Sequence, residues 1–341
     1  MTSKKTLGYL ILACLTICAT TSAQTTRSGS ARNYASDSFE GFEAFDFDNR
    51  IPQKNKSFWY SVKKPTPAEQ LTYGIHQEAL DHTRTARKAY EALIREWPTT
   101  IEAPQAQLAL AGLYEKTGKF DKAFDEYQYL IAHYASVCPY DTVLDRQFRI
   151  ANHLLHNNTS MFGWSLSGTD QIRERFEQLV VNAPRSPRTP EIMLIIGALH
   201  VAEKERREAI IVYDALLNRF PHATEASTAA YLASKCRYEL AMHHNYNETR
   251  CREAIAFLKA ILTRMPNHVY KDEMTNWLKQ LNTLLVEQNY QQAVFYDTRS
   301  RNTTAAQTAY RRFLTEFPDS TYVPQIKARL EAIEKGATPT N

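Results

Sequence analysis

Cys14 is the residue for which the sequence indicates a chemical role most clearly, because its surroundings match a site of lipid attachment. It ends the run Ile11-Leu12-Ala13-Cys14, which has the pattern of a bacterial lipobox, where the cysteine is lipidated and becomes the new N-terminus. Lys4-Lys5, the apolar run from Leu7 to Cys18 and the small residues up to Ala23 form an export signal. We therefore predict either a lipoprotein signal at residues 1–13, with Cys14 as the anchor, or a cleaved signal peptide at residues 1–23.

Three further cysteines and one histidine pair are the other candidates for redox or metal chemistry. Beyond the signal, the chain has Cys138, Cys236 and Cys251, an odd number that excludes complete pairing within the molecule. We expect buried thiols at Cys236 and Cys251, with a disulfide between them as the alternative. The adjacent pair His243-His244 lacks the i, i+4 spacing that places two metal ligands on one helix face. No catalytic group occurs at a recognisable spacing, so we predict no catalytic residue, no metal site and no cofactor.

An acidic segment with aromatic residues is a candidate for partner contacts. Phe39, Phe42 and Phe45 are interleaved with acidic side chains between Asp37 and Asp48. Carboxylates keep such a segment in solution while its rings remain available to a groove. Two interpretations stay open: the segment docks on a partner, or its rings fold back on the chain's own folded domain.

A second group of aromatic residues lies in an apolar stretch where a surface loop is expected. Phe162 and Trp164 belong to the stretch Asn157 to Asp170, which we predict to separate the two helices of one hairpin. Apolar loops of this kind either fold onto their own repeat or contact a partner or membrane. We predict packing onto the repeat, with partner contact as the alternative.

These residues must be positioned by a repeated helical phrase. In each copy a small or β-branched residue is followed four places on by an aromatic residue or leucine, and a closing position lies eight residues further. The spacing puts the small residue and the ring on one helical face. The six copies are Ala86/Tyr90/Trp97-Pro98, Ala123/Tyr127/Tyr134-Ala135, Ile172/Phe176/Ala183-Pro184, Ala209/Tyr213/Phe220-Pro221, Ala254/Leu258/Met265-Pro266 and Ala306/Tyr310/Phe317-Pro318.

The closing prolines predict that each phrase is the second helix of a hairpin, because proline cannot continue a helix. Closing positions are 37 (98 to 135), 49 (135 to 184), 37 (184 to 221), 45 (221 to 266) and 52 (266 to 318) residues apart. The short intervals are near the tetratricopeptide period of about 34 residues. The long intervals leave room for insertions or extended helices.

The first helices of the hairpins and the ends of the repeat array can also be predicted. Gly74 and Gly197 lie twelve residues before the small residue of their repeats, where close helix contact favours glycine. Thr66-Pro67-Ala68-Glu69 is a helix start. We predict a linker at residues 24–64 without stable structure, a repeat domain at residues 65–334 with a capping helix beginning near Tyr322, and an unstructured tail at residues 335–341. The predicted fold class is an all-α solenoid of about six tetratricopeptide-like hairpins.

Composition excludes several classes of function. The chain has 341 residues but only 10 glycines, and neither a P-loop nor a G-x-G-x-x-G motif occurs. Its net charge of +4 is modest, and basic residues are interspersed with acidic ones, so nucleic acid is not an expected partner. A repeat array with an export signal and no catalytic constellation favours protein binding in the cell envelope.

Four segments resemble the BamD/YfiO-type outer-membrane assembly proteins. They are Pro65 to Pro98, the stretch Phe124 to Ile131, the stretch Leu144 to Ala151 and Phe317-Pro318-Asp319-Ser320, and the resemblance covers residues 65 to 334. It implies a periplasmic scaffold at the outer membrane, lipid-anchored or peripheral. The implied partners are the barrel-assembly machinery and unfolded outer-membrane proteins. A different envelope adaptor, such as a cell-division or Tol-Pal coordinator or a secretion-apparatus subunit, is the alternative, followed by an enzyme with an unrecognised site.

Overall fold

The computed structural model describes residues 61–160, 168–243 and 247–335, and these residues form thirteen α-helices and no strand. The helices are α1 (Pro67–Ala79), α2 (Thr83–Glu96), α3 (Glu102–Lys116), α4 (Phe120–His133), α5 (Tyr140–Ser160), α6 (Thr169–Asn182), α7 (Thr189–Ala202), α8 (Arg206–Arg219), α9 (Ala226–His243), α10 (Glu248–Arg264), α11 (Lys271–Thr298), α12 (Thr303–Glu316) and α13 (Val323–Glu334). The predicted all-α fold of six hairpins and a capping helix is confirmed.

The second helix of every hairpin ends immediately before the closing pair of its phrase. For example, α2 ends at Glu96, before Trp97-Pro98, and α12 ends at Glu316, before Phe317-Pro318. Five of the six phrases begin with alanine, and all five alanines are fully buried: Ala86, Ala123, Ala209, Ala254 and Ala306. The phrase therefore marks both the packing face and the end of each second helix.

Within the described ranges, extended helices occupy much of the long intervals between repeats. α5, α9, α10 and α11 contain 21, 18, 17 and 28 residues. The other described helices have 12 to 15 residues. The extra turns fall in the third, fifth and sixth hairpins, which are the hairpins with the long intervals.

The first hairpin shows why its two ends were predictable. The Thr66 hydroxyl accepts a hydrogen bond from the Glu69 amide at 3.3 Å, so the predicted N-cap of α1 is confirmed. A Cβ atom on Gly74 would lie 2.5 Å from Cε1 of the buried Tyr90 ring. Only glycine therefore allows α1 and α2 to approach this closely, as the spacing predicted.

The boundaries predicted for the third hairpin are wrong. α5 continues to Ser160 and α6 begins at Thr169, so Asn157 and Asp170 both lie in helices. The Asn157 side chain is hydrogen-bonded to His153, one turn earlier, at 2.9 Å. Asp170 occupies the first turn of α6, where a carboxylate is favoured by the helix dipole. The prediction rested on the long interval between closing positions, which gives the length of the repeat but not the ends of its helices.

The helices form two compact units, one ending at Glu205 and one beginning at Arg206. Cys236 and Cys251 are buried free thiols, as expected, and burial raises the pKa of Cys251 to about 11. None of the described helices combines the length and the apolar character needed to cross a membrane. Cys14, Phe39, Phe42, Phe45, Phe162 and Trp164 lie outside the described residues.

Candidate binding surface

A buried tyrosine of the first unit belongs to a polar network that connects consecutive repeats. The Tyr127 hydroxyl donates to Glu115 Oε2 at 2.9 Å. Arg146, on α5 of the next hairpin, donates to the same hydroxyl oxygen at 3.0 Å and to Glu115 Oε2 at 3.3 Å. Burial raises the pKa of Tyr127 to about 12, so the hydroxyl stays protonated at physiological pH. The network stabilises the contact between two hairpins.

The second unit repeats this arrangement at its C-terminal end. Tyr310 donates to Asp297 Oδ2 at 3.1 Å, and Arg329 on α13 donates to both Asp297 oxygens, at 2.7 and 2.9 Å. In both networks the arginine follows the tyrosine by nineteen residues, 127 to 146 and 310 to 329. Sequence reasoning missed this spacing. It explains how the capping helix is attached to the last hairpin.

Titratable side chains cluster where α7 ends. One ligand-type atom from each of His200, Glu203 and Glu205 lies within 4.8 Å of the others. The His200 imidazole Nδ1 is hydrogen-bonded to Glu205 at 2.9 Å, and Arg173 Nε donates to Glu203 Oε2 at 3.1 Å. Arg173 also donates to Glu177 at 2.9 Å. The arginine thus supplies the positive charge in this cluster, and we assign the cluster to the packing of α6 against α7.

The cluster predicts a pH-dependent stability of the first unit. Burial raises the pKa of Glu203 to about 7, although Arg173 opposes the shift. Between the ordinary value of 4.5 and about 7, the folded state binds more protons at this carboxyl than the unfolded state does. Stability from this group is therefore complete below pH 4.5 and is lost as the pH rises through 7. His200 has the opposite effect on the pH dependence of stability, because burial lowers the pKa of its imidazole.

We therefore expect Glu203→Gln to raise Tm by about 2–4 °C at pH 8, and to leave it unchanged near pH 4.5. The glutamine side chain still has an oxygen that can accept a hydrogen bond from Arg173, but it does not titrate. His200 is present in both proteins, so it does not account for the difference in Tm between them. Thermal unfolding followed by circular dichroism at both pH values measures the difference. Glu174→Gln, an exposed position on α6, is the control. An equal change in Tm at both pH values would contradict this prediction.

The second unit contains a row of stacked aromatic rings between α9 and α11. The Tyr270 ring stacks on Tyr231 at 4.2 Å, Tyr231 lies 5.4 Å from Trp277, and Trp277 stacks on Tyr238 at 5.2 Å, all measured between ring centroids. Tyr231 also donates to Glu273 at 3.0 Å, and Tyr238 donates to Gln280. These contacts fix the rings in one arrangement before any partner binds.

One end of this row is open to solvent. Tyr270 is 37% exposed and the preceding Val269 is 88% exposed, whereas Tyr231 and Trp277 are buried behind them. Tyrosine and tryptophan are enriched among the residues that dominate binding energy, and rigid rings lose little entropy when a partner binds. We name Val269, Tyr270, Tyr231, Trp277 and Tyr238 the aromatic surface. Its geometry suits the binding of an apolar or aromatic side chain from another protein.

A groove of about 450 Å³ lies further along the same unit, beside the C-terminal half of α11. Its residues include Gln292 and Tyr296 on α11 and Thr304, Thr308 and Arg312 on α12. Arg312 donates to Asn289 and Gln292, so it is held within the protein. Phe295, next to Tyr296 in the chain, is 54% exposed. The groove offers hydrogen-bonding groups to a polypeptide but has no nucleophile.

The aromatic surface was not predicted, although the sequence contains a signal for it. Tyr231 and Tyr238 are seven residues apart, as are Tyr270 and Trp277, and this spacing places each pair on one helix face. The two pairs are separated by the same interval of 39 residues, 231 to 270 and 238 to 277. None of the binding residues that we predicted lies in the described part of the chain.

Comparisons with known proteins agree with this architecture. Residues 167–309 match the YfiO family, described as outer membrane lipoprotein, and residues 74–136 match a tetratricopeptide repeat family. No curated protein matches the chain. The complete aromatic surface lies inside the YfiO match.

Solved structures, among them two tetratricopeptide-repeat proteins, are also similar, at low identity. A Parabacteroides merdae protein is 13% identical, with a TM-score of 0.29, and the match covers 78% of this chain and 97% of that protein. A protein from Cytophaga hutchinsonii is 15% identical over 77% of this chain and 88% of the other, with a TM-score of 0.31. PilF of Pseudomonas aeruginosa is 10% identical over 77% and 97%, with a TM-score of 0.26. The described helices form an all-α repeat fold of the tetratricopeptide type, and residues 167–309 of this chain are similar to the YfiO family.

Proposed function

We propose that this protein is a non-catalytic scaffold at the periplasmic face of the bacterial outer membrane, and that it helps to assemble or insert β-barrel outer-membrane proteins. The observation that carries the proposal is the match of residues 167–309 to an outer membrane lipoprotein family, over the segment that contains the aromatic surface. Contacts with the barrel-assembly machinery and with unfolded barrel proteins would take place through such surfaces.

The chemistry of the aromatic surface fits this role. Strands of a transmembrane barrel alternate apolar and polar side chains and carry aromatic girdles near both membrane interfaces. An unfolded barrel protein therefore presents aromatic and apolar side chains at regular intervals. Tyr270 and Val269 offer a preformed apolar contact to such side chains, and the groove beside the C-terminal half of α11 offers hydrogen-bonding groups to the backbone.

Attachment to the membrane is part of the same proposal. Lipidation of Cys14 would supply more than one acyl chain, which is enough for stable anchoring. Cleavage after Ala23 would instead leave retention to protein partners. The variant Cys14→Ala separates the two routes, because a lipid-anchored protein would be lost from the membrane fraction while a partner-held protein would stay.

The assembly role predicts that several barrel proteins decrease together when this protein is depleted. Quantitative proteomics of the cell envelope during depletion measures them, and lipoproteins that need no barrel assembly serve as the internal control. Unchanged barrel levels would refute the assembly role, and a selective loss of a division or secretion complex would instead favour another type of envelope adaptor.

A further inference from the structure

The turn between α10 and α11 contains one buried histidine among exposed residues. Pro266, Asn267, Val269 and Tyr270 are exposed, whereas His268 is buried. Val269 and Tyr270 form the end of the aromatic surface that is open to solvent. The contacts of His268 therefore determine how the exposed end of this surface is held.

Both nitrogens of the His268 imidazole have a main-chain partner. Nε2 lies 2.9 Å from the carbonyl oxygen of Ser227 on α9, and Nδ1 lies 3.0 Å from the amide nitrogen of Tyr270. A carbonyl oxygen can only accept a hydrogen bond, and a backbone N–H can only donate one. These partners assign the imidazole hydrogen to Nε2 and leave the Nδ1 lone pair to accept from Tyr270. In this tautomer the side chain connects the turn to α9.

The imidazole also belongs to the cluster of rings at this surface. Its centroid lies 6.4 Å from that of Tyr231, with an interplanar angle of 22°, and 5.9 Å from that of Tyr270. Tyr270 itself stacks on Tyr231 at 4.2 Å. One buried side chain thus lies beside both rings of the stack and also holds the main chain of the exposed one.

The turns after all six phrases share one backbone hydrogen bond. The residue three positions after the first member of the closing pair donates its amide hydrogen to the carbonyl of that member, at 3.1 to 3.3 Å. His268 occupies this position in the α10–α11 turn. The other five residues at this position are Thr100, Val137, Ser186, Ala223 and Ser320.

Serine at this position repeats one of the two bonds of His268. The hydroxyl oxygens of Ser186 and Ser320 each accept from the amide two residues further on, at 3.3 Å, as Nδ1 of His268 does. Among the described residues, none of the five shorter side chains has a hydrogen bond to another helix. The bond from Nε2 to Ser227 therefore distinguishes the α10–α11 turn from the others.

We propose that His268 is the positioning residue of the aromatic surface, and that its bond to Ser227 holds Tyr270 in the stacked arrangement that a partner binds. Ordering a loop on binding costs affinity, so a turn that is already held in place binds more tightly. The part that His268 plays in binding rests on the proposed function of this surface. Its effect on Tyr270 does not, and it is measured on the protein without a partner.

Nitrogen-15 NMR of the full mature chain, labelled at histidine, tests the assignment of the tautomer. The His268 signals are identified by their loss in His268→Gln. At pH 8 we expect a hydrogen on Nε2 and none on Nδ1, as the two main-chain partners require. A hydrogen on Nδ1 would overturn the proposal, because the Tyr270 amide would then have no acceptor on this ring.

Two variants separate the two bonds, because each keeps one of them. His268→Ser keeps the local acceptor that Ser186 and Ser320 provide in their turns. His268→Gln has an amide nitrogen as many bonds from Cα as Nε2, so it can still donate to Ser227. Hydroxyl-radical footprinting, read by mass spectrometry, measures the accessibility of Tyr270, which is 37% exposed in the stack. We expect His268→Ser to raise its modification rate about twofold, and His268→Gln to leave it near the wild-type rate.

His222→Ser is the matched control, because His222 is an exposed histidine in the preceding turn of the same unit. It should leave the rate at Tyr270 unchanged, and Tyr322 should react equally in all variants. An unchanged rate at Tyr270 in His268→Ser would overturn the proposal. So would equal rises in the serine and glutamine variants, or a rise at Tyr322, because either result would mean that the Ser227 bond is not what holds Tyr270.

Complementation of depleted cells distinguishes the role of His268 from that of the whole surface. We expect His268→Gln to restore the levels of outer-membrane barrel proteins, and His268→Ser to leave them below the wild-type level. Full restoration by His268→Ser, with low levels in the double variant Val269→Glu and Tyr270→Glu, would overturn only the role of His268 in binding. Full restoration by both would overturn the proposed use of the surface as well.

Discussion

Asp297→Ala is expected to lower the free energy of unfolding of the second unit by about 3–5 kcal/mol. Asp297 is buried and accepts from both Tyr310 and Arg329, so its removal breaks three hydrogen bonds at once. The Arg329 guanidinium would then keep its positive charge beside the last hairpin but would no longer have the Asp297 carboxylate as a partner. Since Arg329 belongs to α13, the capping helix loses its main polar attachment to α11 and α12.

Urea unfolding followed by circular dichroism and tyrosine fluorescence measures this loss. Asp297→Asn should lower the free energy of unfolding by less than Asp297→Ala does, because the amide oxygen still accepts one hydrogen bond from Arg329. Glu334→Gln removes an exposed pair with Arg311 and should change stability by less than about 1 kcal/mol. If Asp297→Ala costs no more than Glu334→Gln, the network does not attach the capping helix.

Tyr127→Ala is expected to destabilise the first unit by about 3–5 kcal/mol, whereas Tyr127→Phe should cost about 1 kcal/mol. The ring is fully buried, so alanine leaves a cavity between α3 and α4. Phenylalanine fills the same space and removes only the hydroxyl. Glu115 and Arg146 remain 3.3 Å apart in that variant, so neither group is left without a partner.

The difference between the two variants separates packing from hydrogen bonding, and urea unfolding at pH 7 measures both. Ala123→Leu tests the effect of a side chain that is too large for its site, because Ala123 is the fully buried small residue of the same phrase. Such overpacking lowers the free energy of unfolding by about 1–3 kcal/mol. Equal losses for Tyr127→Ala and Tyr127→Phe would mean that the hydroxyl network, and not the ring, determines stability here.

The hairpins were predictable because their signals are local. Proline after Trp97 or Phe317 ends a helix whatever the rest of the protein does. Gly74 and Ala86 mark close contacts between helices that are neighbours in the chain, so spacing alone reveals them. The intervals between closing positions also showed that the third, fifth and sixth hairpins contain additional residues, but they did not decide between insertions and extended helices.

The binding surface was less predictable because it joins helices that are distant in sequence. Tyr231 and Tyr270 stack only once α9 and α11 are neighbours, and this requires the fold to be known. Hydrogen-bonding networks such as Tyr127 with Arg146 also cross between repeats. The boundaries of the third hairpin were wrong for a different reason, since the interval between closing positions gives the length of the repeat but not the ends of its helices.

The most direct test of the assembly role is complementation of depleted cells with a variant of the aromatic surface. Val269→Glu with Tyr270→Glu places charges at the exposed end of the ring row, and Ile101→Glu, 70% exposed in the first unit, is the control. We predict that the control restores the levels of outer-membrane barrel proteins, while the double variant accumulates normally and leaves them low. Full restoration by the double variant would contradict the proposed use of this surface in barrel assembly.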